Sequence, residues 1–148
     1  MTLRAASGRS TAENIDDLAE WLMALRGGPG VNRTVVAHCP QPSHGEEPAT
    51  WFYVEADAAE GVARLRCLGC GHAHPVLDSD EHWTYPPVWA CHTCAQSIAE
   101  VVHGMHVENG ADVIWLAVGV RCVNCGDLSG VTDMVVPPTP VDDFTASL

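Results

Sequence analysis

Residues 113–126 read VIWLAVGVRCVNCG, an apolar run that passes directly into two cysteines and a glycine. Residues 113–121 are apolar at almost every position, which is typical of a strand buried on both faces. Residues 62–71 read VARLRCLGCG and share this design, a strand-like segment that ends in the pattern Cys-x-x-Cys-Gly. The glycine permits a positive φ, which lets backbone N–H groups turn toward the sulfurs. We therefore expect two strands, each ending in a turn built around two thiols.

The chain has seven cysteines, and six of them form three pairs at this spacing. The count is odd and the first residues lack the apolar segment of a signal peptide, which argues against a disulfide framework. A tight turn can instead place two thiolates on one side of a cation, and two such turns complete a tetrahedron. The sequence therefore predicts metal binding by Cys39, Cys67, Cys70, Cys91, Cys94, Cys122 and Cys125.

The cysteine turns resemble the zinc knuckles of zinc-ribbon and treble-clef proteins. In the treble-clef pattern a knuckle and a hairpin precede a helix, whose first turn supplies the other two ligands. Residues 67–71, followed by residues 91–94, are similar to that pattern, and apolar side chains recur at helical spacing over residues 91–103. The resemblance extends over about residues 62–126 and implies a zinc site and a central helix.

One histidine would complete eight ligands for two tetrahedral sites. His44 lies five positions after Cys39, across a turn that contains prolines, and we expect it to be the eighth ligand. His38 is the alternative, although its side chain points to the opposite face of a strand from that of Cys39.

Two pairings of the eight ligands are open, and we prefer the one in which the ligands interleave along the chain. Its first site holds Cys67, Cys70, Cys91 and Cys94, and its second holds Cys39, His44, Cys122 and Cys125. The other pairing joins Cys67, Cys70, Cys122 and Cys125 in one site and leaves Cys39, His44, Cys91 and Cys94 for the second.

Zinc is the expected metal at both sites because it prefers closed tetrahedral thiolate coordination. Iron is the less favoured alternative, since the turns also resemble those of rubredoxins. Rubredoxins have a proline after the first cysteine of the second pair, where this chain has Leu68 in one turn and Val123 in the other.

The remaining pattern predicts an α+β fold of small antiparallel sheets and hairpins with zinc knuckles, an N-terminal helix and the central helix. Apolar residues recur at helical spacing over residues 15–25, after the candidate N-caps Ser10 and Thr11. Such a helix most often packs on a sheet. Residues 33–38 and residues 131–136 are expected to be strands.

Residues 51–57 and 62–67 are predicted to form a hairpin. If Asp57 lies opposite Val62, then Phe52 lies opposite Cys67, and the apolar side chains share one face. A slip of one residue would break this match.

The expected organisation is a flexible arm over residues 1–9, one zinc-stabilised domain over residues 10–136, and a Pro-rich acidic tail over residues 137–148. A length of 148 residues agrees with one domain. Pro137 is expected to stop the last strand.

The net charge is -12, and the chain contains no lysine. This balance excludes an extended basic surface, so we expect no direct nucleic-acid binding. No apolar run is long enough for a membrane span, and we expect a cytoplasmic protein. The acidic balance favours a protein partner with basic features; the sequence leaves the oligomeric state open.

Closed metal sites leave no coordination position for water or substrate, so we expect a non-catalytic protein-interaction or regulatory module. The alternative is a redox switch at Cys91 and Cys94, whose thiolates a helix N-terminus would stabilise. A less favoured alternative is a zinc hydrolase. The residues His44-Gly-Glu46, followed by Cys67-x-x-Cys70, superficially match zinc deaminases, in which the glutamate is the general acid and base.

Overall fold

The computed structural model of the protein describes residues 4–6, 9–25, 28–44 and 49–148. These residues form nine strands, two α-helices and two short 3-10 helices. The strands are β1 (Arg4–Ala6), β2 (Arg9–Thr11), β3 (Arg33–Val36), β4 (Phe52–Asp57), β5 (Val62–Cys67), β6 (Ala73–Pro75), β7 (Ala99–Glu108), β8 (Asp112–Cys122) and β9 (Leu128–Pro140). The α-helices are α1 (Ile15–Ala24) and α2 (Val141–Ala146), and the 3-10 helices are Pro42–His44 and Ser79–His82.

Seven strands form one antiparallel sheet. Six of them follow the order β6-β5-β4-β7-β8-β9, and β3 pairs with the same edge of β7 as β4, at Val102–Met105, beyond the single β4 contact at Ala99. The α+β class is therefore confirmed. Neither described helix is long and apolar enough to cross a bilayer.

The predicted hairpin is confirmed residue by residue as β4 and β5. Asp57 lies opposite Val62 and Phe52 lies opposite Cys67. Apolar alternation determined this register, because Phe52, Val54 and Leu65 are all buried on one face.

β8 is buried on both faces, as its continuous apolar sequence predicts. Leu116, Val118 and Val120 pack into the main core on one side of the sheet. On the other side α1 covers β7 and β8 through Leu18 and Leu22, which confirms that this helix packs on the sheet. Gly119 makes room for α1, because a Cβ at this position would lie 2.9 Å from both terminal carbons of Leu22.

The sheet consists of two units with the same succession of parts. The first unit, over the described residues 33–44 and 49–75, contains β3, the segment of Cys39 and His44, the β4–β5 hairpin, a cysteine turn and β6. The second unit, residues 88–140, contains an extended segment, a cysteine turn, the β7–β8 hairpin, another cysteine turn and β9. Each unit adds its first segment to the other unit's hairpin: β3 pairs with β7, and Val88 bridges Glu55 on β4.

The central helix expected over residues 91–103 is wrong. Residues 91–94 form a turn, Ala95 has a φ of 63°, and β7 begins at Ala99. A positive φ at Ala95 ends any helix there. β7 is buried on both faces, and a strand of that kind has apolar residues at helical spacings as well as at alternating ones.

The chain ends also differ from expectation. α1 begins after Asn14, whose side chain accepts a hydrogen bond from the Asp17 N–H, and Thr11 belongs to β2. Where a loose arm was predicted, β1 and β2 pair with each other; residues 1–3 and 7–8 lie outside the described residues.

Residues 137–148, which the sequence predicts to be a tail, belong to the end of β9 and to α2. β9 continues to Pro140. It lies at the edge of the sheet, where the outward-facing backbone N–H groups are not needed for strand pairing, so prolines are tolerated there. α2 follows, and its Phe144 is buried in the main core.

Candidate metal centres

The first cluster brings together Cys39, His44, Cys67 and Cys70, whose ligand atoms all lie within 4.8 Å of one another. The Cys39 and Cys70 sulfurs are 3.7 Å apart, and the Cys67 sulfur is 3.5 Å from His44 Nε2. A tetrahedral zinc ion, with bonds of about 2.3 Å to sulfur and about 2.0 Å to nitrogen, gives edges of about 3.8 and 3.5 Å. The four side chains therefore already stand at the spacing of a tetrahedral ion.

The second cluster brings together Cys91, Cys94, Cys122 and Cys125 under the same 4.8 Å limit. The Cys91 and Cys125 sulfurs are 3.6 Å apart, and the Cys94 and Cys122 sulfurs are 3.5 Å apart. All seven cysteines are free thiols, so these contacts are not disulfides. Both clusters can hold a metal ion.

The structure gathers all eight predicted ligands, but in a pairing that differs from both predicted ones. Each cluster joins the residues that flank one hairpin: β4–β5 for the first cluster and β7–β8 for the second. The interleaved pairing is wrong because an antiparallel hairpin returns the chain to its own starting point, so its two ends meet. Each hairpin thus closes a cluster from ligands that neighbour it in sequence.

His44 reaches its cluster from the 3-10 helix Pro42–His44 and lies against the cysteine turn. A Cβ at Gly69 would stand 3.1 Å from His44 Cε1, so the glycine inside the turn allows the ring to approach the Cys67 sulfur. His38 is exposed and belongs to neither cluster.

The three Cys-x-x-Cys turns have one backbone geometry. In each, the N–H of the first cysteine donates to the carbonyl five residues later, as from Cys67 to His72 at 2.9 Å. The N–H four residues after the first cysteine donates back to that cysteine's carbonyl. The matching bonds are Cys122 to Asp127 and Cys91 to Gln96 for the first kind, and Gly71 to Cys67, Gly126 to Cys122 and Ala95 to Cys91 for the second.

The residue after each turn has a positive φ, as expected for the two glycines. The φ angles are 76° at Gly71, 79° at Gly126 and 63° at Ala95. Ala95 adopts the same conformation without the freedom of glycine, which explains why the pattern Cys-x-x-Cys-Gly identifies only two of the three turns.

Burial and hydrogen bonding move the thiol pKa values in opposite directions. Burial raises the pKa of Cys39 to about 11 and that of Cys125 to about 12. Hydrogen bonds donated to its sulfur, first by the Asn124 side chain and then by the Gln96 backbone N–H, lower the pKa of Cys94 to about 6. Because a cation binds thiolates, ion binding would release the protons of the high-pKa thiols.

One buried carboxylate lies beside the second cluster. Asp127 Oδ2 is 3.8 Å from the Cys91 sulfur and accepts a hydrogen bond from the Thr93 hydroxyl at 3.3 Å. Asp127 follows the last cysteine turn and directly precedes β9, which begins at Leu128. Asp127 was not predicted, because an acid two positions after a cysteine carries no signal in sequence.

The other histidines are outside the two clusters. Asp78, Glu81 and His82 form a third group, and all three residues are exposed. Glu46, the acid and base of the hydrolase alternative, lies outside the described residues. Comparison of the chain with protein-family models, with curated proteins and with solved structures finds no match.

Proposed function

We propose that each cluster holds one structural zinc ion and that the protein acts by presenting a surface to another protein. The observation that carries this proposal is the supply of four protein ligands per cluster at tetrahedral spacing. Four side-chain ligands leave no position at which the ion could activate water or bind a substrate. The ion then contributes to folding, by about 10–16 kcal/mol per site in peptide systems.

The ligand sets favour zinc over iron. One cluster contains a histidine, and neither Leu68 nor Val123 is the proline that the rubredoxin resemblance would require. Backbone N–H groups point to sulfur in both clusters, as from Gly69 and Cys70 to Cys67. Such bonds orient thiolate ligands and stabilise their negative charge.

Charge indicates the kind of partner. Zinc with four thiolates carries a net charge of -2, and zinc with three thiolates and a neutral imidazole carries -1. The loaded protein therefore moves from -12 to about -15. We propose a basic protein partner, and a reducing compartment such as the cytoplasm, where zinc thiolates persist.

The redox alternative loses its main support in this fold. Cys91 and Cys94 precede a strand, so no helix dipole stabilises their thiolates. Their sulfurs also approach different partners, Cys125 and Cys122 respectively.

The first experiment measures zinc per chain in the purified protein by elemental analysis. We expect two equivalents, with one lost in Cys70→Ser and one lost in Cys125→Ser. His44→Gln should lower the zinc affinity of the first cluster, whereas the matched control His38→Gln should not. Iron in place of zinc, or retention of two equivalents in the cysteine variants, would contradict the assignment.

A second experiment separates structure from chemistry. Removal of metal by a chelator should unfold the protein, as followed by circular dichroism, and alkylation of Cys91 should be slow until then. Rapid alkylation of Cys91 in the loaded protein would support the redox alternative instead.

The partner is tested with metal-loaded protein on a support, followed by reconstitution with the purified captured protein. We expect a basic partner whose binding weakens as salt is added and is lost after chelation. A complex insensitive to both salt and chelator would contradict the proposal.

A further inference from the structure

An apolar groove of about 360 Å³ lies between the C-terminal end of α1 and the β8–β9 pair. Leu22 and Leu25 form its wall on the helix side, and Trp115 and Ala117 line it from β8. Leu25 is 42 % exposed, so the groove is open to solvent at this end. None of the eight metal ligands of the two clusters lines it. The groove is therefore an accessible apolar surface that the metal centres do not use.

One carboxylate belongs to this groove. Asp133 lines it from β9, is exposed, and accepts a hydrogen bond from Trp115 Nε1 at 3.0 Å. Among the described residues this is the one polar contact of the Asp133 side chain, and no cation pairs with it. The hydrogen bond thus holds a negative charge beside the indole ring, and nothing in that part of the chain compensates it.

The surface next to Asp133 is also negatively charged. A second depression, of about 420 Å³, shares Ala58 and Asp133 with the groove and is also lined by Glu60 and Asp78. Of the basic residues that the structure describes, only His82 lines it, and its Nε2 lies 3.7 Å from the Asp78 carboxylate. No described arginine lines either depression, and the chain contains no lysine. A second molecule can therefore supply the cation that Asp133 lacks.

Another surface of the same chain shows which cation suits a tryptophan beside a carboxylate. Arg64 lies over the Trp83 ring, 3.9 Å from its centroid, and donates to the Asp80 carboxylate at 2.6 Å. A guanidinium serves both groups because it is planar, stacks on indole rings and offers several N–H donors to a carboxylate. Trp115 and Asp133 are the same two kinds of group without the arginine.

We propose that this groove receives an arginine side chain of the protein partner, with the guanidinium at Asp133 and Trp115 and the methylene stem against Leu25. The inference rests on the proposed function, in which the partner is a basic protein, and it names the surface that this partner contacts. Arginine is favoured over lysine because an ammonium group is more strongly hydrated and lacks the planar shape that stacks on an indole ring. Glu60 and Asp78 add attraction for further basic residues of the partner.

The experiment titrates the zinc-loaded protein, labelled with nitrogen-15 at tryptophan, with a blocked Gly-Arg-Gly peptide. We expect a saturable shift of the Trp115 indole N–H signal, which weakens as salt is added, and none for Trp83, whose ring Arg64 already covers. The matched peptide with citrulline has the same shape without the charge and should bind about threefold more weakly. Equal binding of the citrulline peptide would overturn the proposal, and equal binding of Gly-Lys-Gly would overturn the choice of arginine.

A charge variant locates the binding site. Asp133→Asn removes the charge but keeps an oxygen that can accept from Trp115, so it should weaken the arginine peptide about threefold with the zinc content unchanged. The matched control Asp142→Asn makes the same change of net charge on α2, outside both depressions, and should bind like the parent protein. Absence of a saturable Trp115 shift, or equal binding by Asp133→Asn, would overturn the docking site.

The docking site and the proposed function fail in different experiments. A basic partner that binds Asp133→Asn and the parent protein equally would overturn this docking site and leave the proposed function intact. A partner complex that is insensitive to salt and to chelator would contradict the proposed function, whatever the peptide titration gives.

Discussion

Phe52 pairs with Ala99 at the one register position where β4 meets β7. Phe52 also lies opposite Cys67, and Ala99 lies opposite Cys122. The four residues thus form one row across β5, β4, β7 and β8, and the cysteines at its ends belong to different clusters. With about 5 Å between paired Cα atoms, the Cα atoms of Cys67 and Cys122 are about 15 Å apart along this row. The Phe52–Ala99 pair, called the joint below, lies between them.

This row predicts that the two sites are energetically coupled. Phe52 is fully buried, and Phe52→Leu should cost about 1–2 kcal/mol of stability. This loss of stability weakens the contact between β4 and β7, which lies between the two clusters. Zinc release from both sites should therefore become about tenfold faster. A chromogenic chelator measures the two release phases.

The matched control is Trp51→Leu, which changes an exposed aromatic residue next to Phe52. We expect its release kinetics to equal those of the parent protein. A Phe52→Leu protein in which only one phase accelerates would show that the joint does not couple the sites.

The three cysteine turns predict an order of stabilities for substitutions after the second cysteine. Gly71→Ala places a Cβ in open space at positive φ and should cost about 1 kcal/mol. Gly126→Ala has the same backbone cost, and its Cβ would also lie 2.5 Å from the Ala12 carbonyl oxygen, so the loss should be greater. Ala95→Gly should be neutral or stabilising.

Urea denaturation of the zinc-loaded variants gives this order directly. Equal losses in Gly71→Ala and Gly126→Ala would show that the contact with Ala12 yields without cost. A clear loss in Ala95→Gly would show that the turn is not strained at that residue.

The close contact between Gly119 on β8 and Leu22 on α1 gives a third prediction. Gly119→Ala would bring a Cβ within 2.9 Å of Leu22 and should destabilise the protein by about 1–3 kcal/mol. Leu22→Val in the same chain should recover part of that loss, because it removes the atoms that clash. The difference is measured by denaturant unfolding.

Gly130 provides the control, since it pairs with Gly119 across β8 and β9 and a Cβ there meets nothing within 4 Å. Gly130→Ala should stay within about 0.5 kcal/mol of the parent protein. If both glycine variants lose the same stability, the cost comes from the strand backbone and not from a clash with Leu22 on α1.

The parts of the fold that could be predicted from the sequence are those that depend on residues close together in the chain. The register of β4 and β5 follows from alternating apolar residues joined by a four-residue connection. The cysteine turns follow from ligand spacing and glycine. His44 was found by completing the ligand count, and the structure places it in the first cluster.

The parts that the sequence missed depend on contacts between distant segments. β7 resembled a helix because both of its faces are buried, by α1 on one side and by the main core on the other. The ligand pairing depends on which hairpin ends meet. The two-unit arrangement is visible in sequence only at residues 62–71 and 117–126, because Ala95 and His44 replace the matching glycine and cysteine of the other turns.

His103 predicts a specific acid sensitivity. Burial lowers its pKa to about 4 from an ordinary 6.5, so between these values the unfolded chain binds a proton that the folded chain does not. The free energy of unfolding therefore falls as the pH decreases through this window, by about 2 kcal/mol at pH 5 relative to neutral pH. His103→Leu has no such proton to bind and should lack this part of the loss.

Urea denaturation of both proteins at neutral pH and at pH 5 tests the prediction, and the comparison cancels the protonation of metal ligands, which the two proteins share. His103→Leu should also be more stable at neutral pH by about 1 kcal/mol, because it removes the buried Nδ1, which has no hydrogen-bond partner among the described residues. Parallel pH curves would mean that the folded protein accommodates a charged His103. The ring would then have to reach solvent or an acidic side chain as the pH falls.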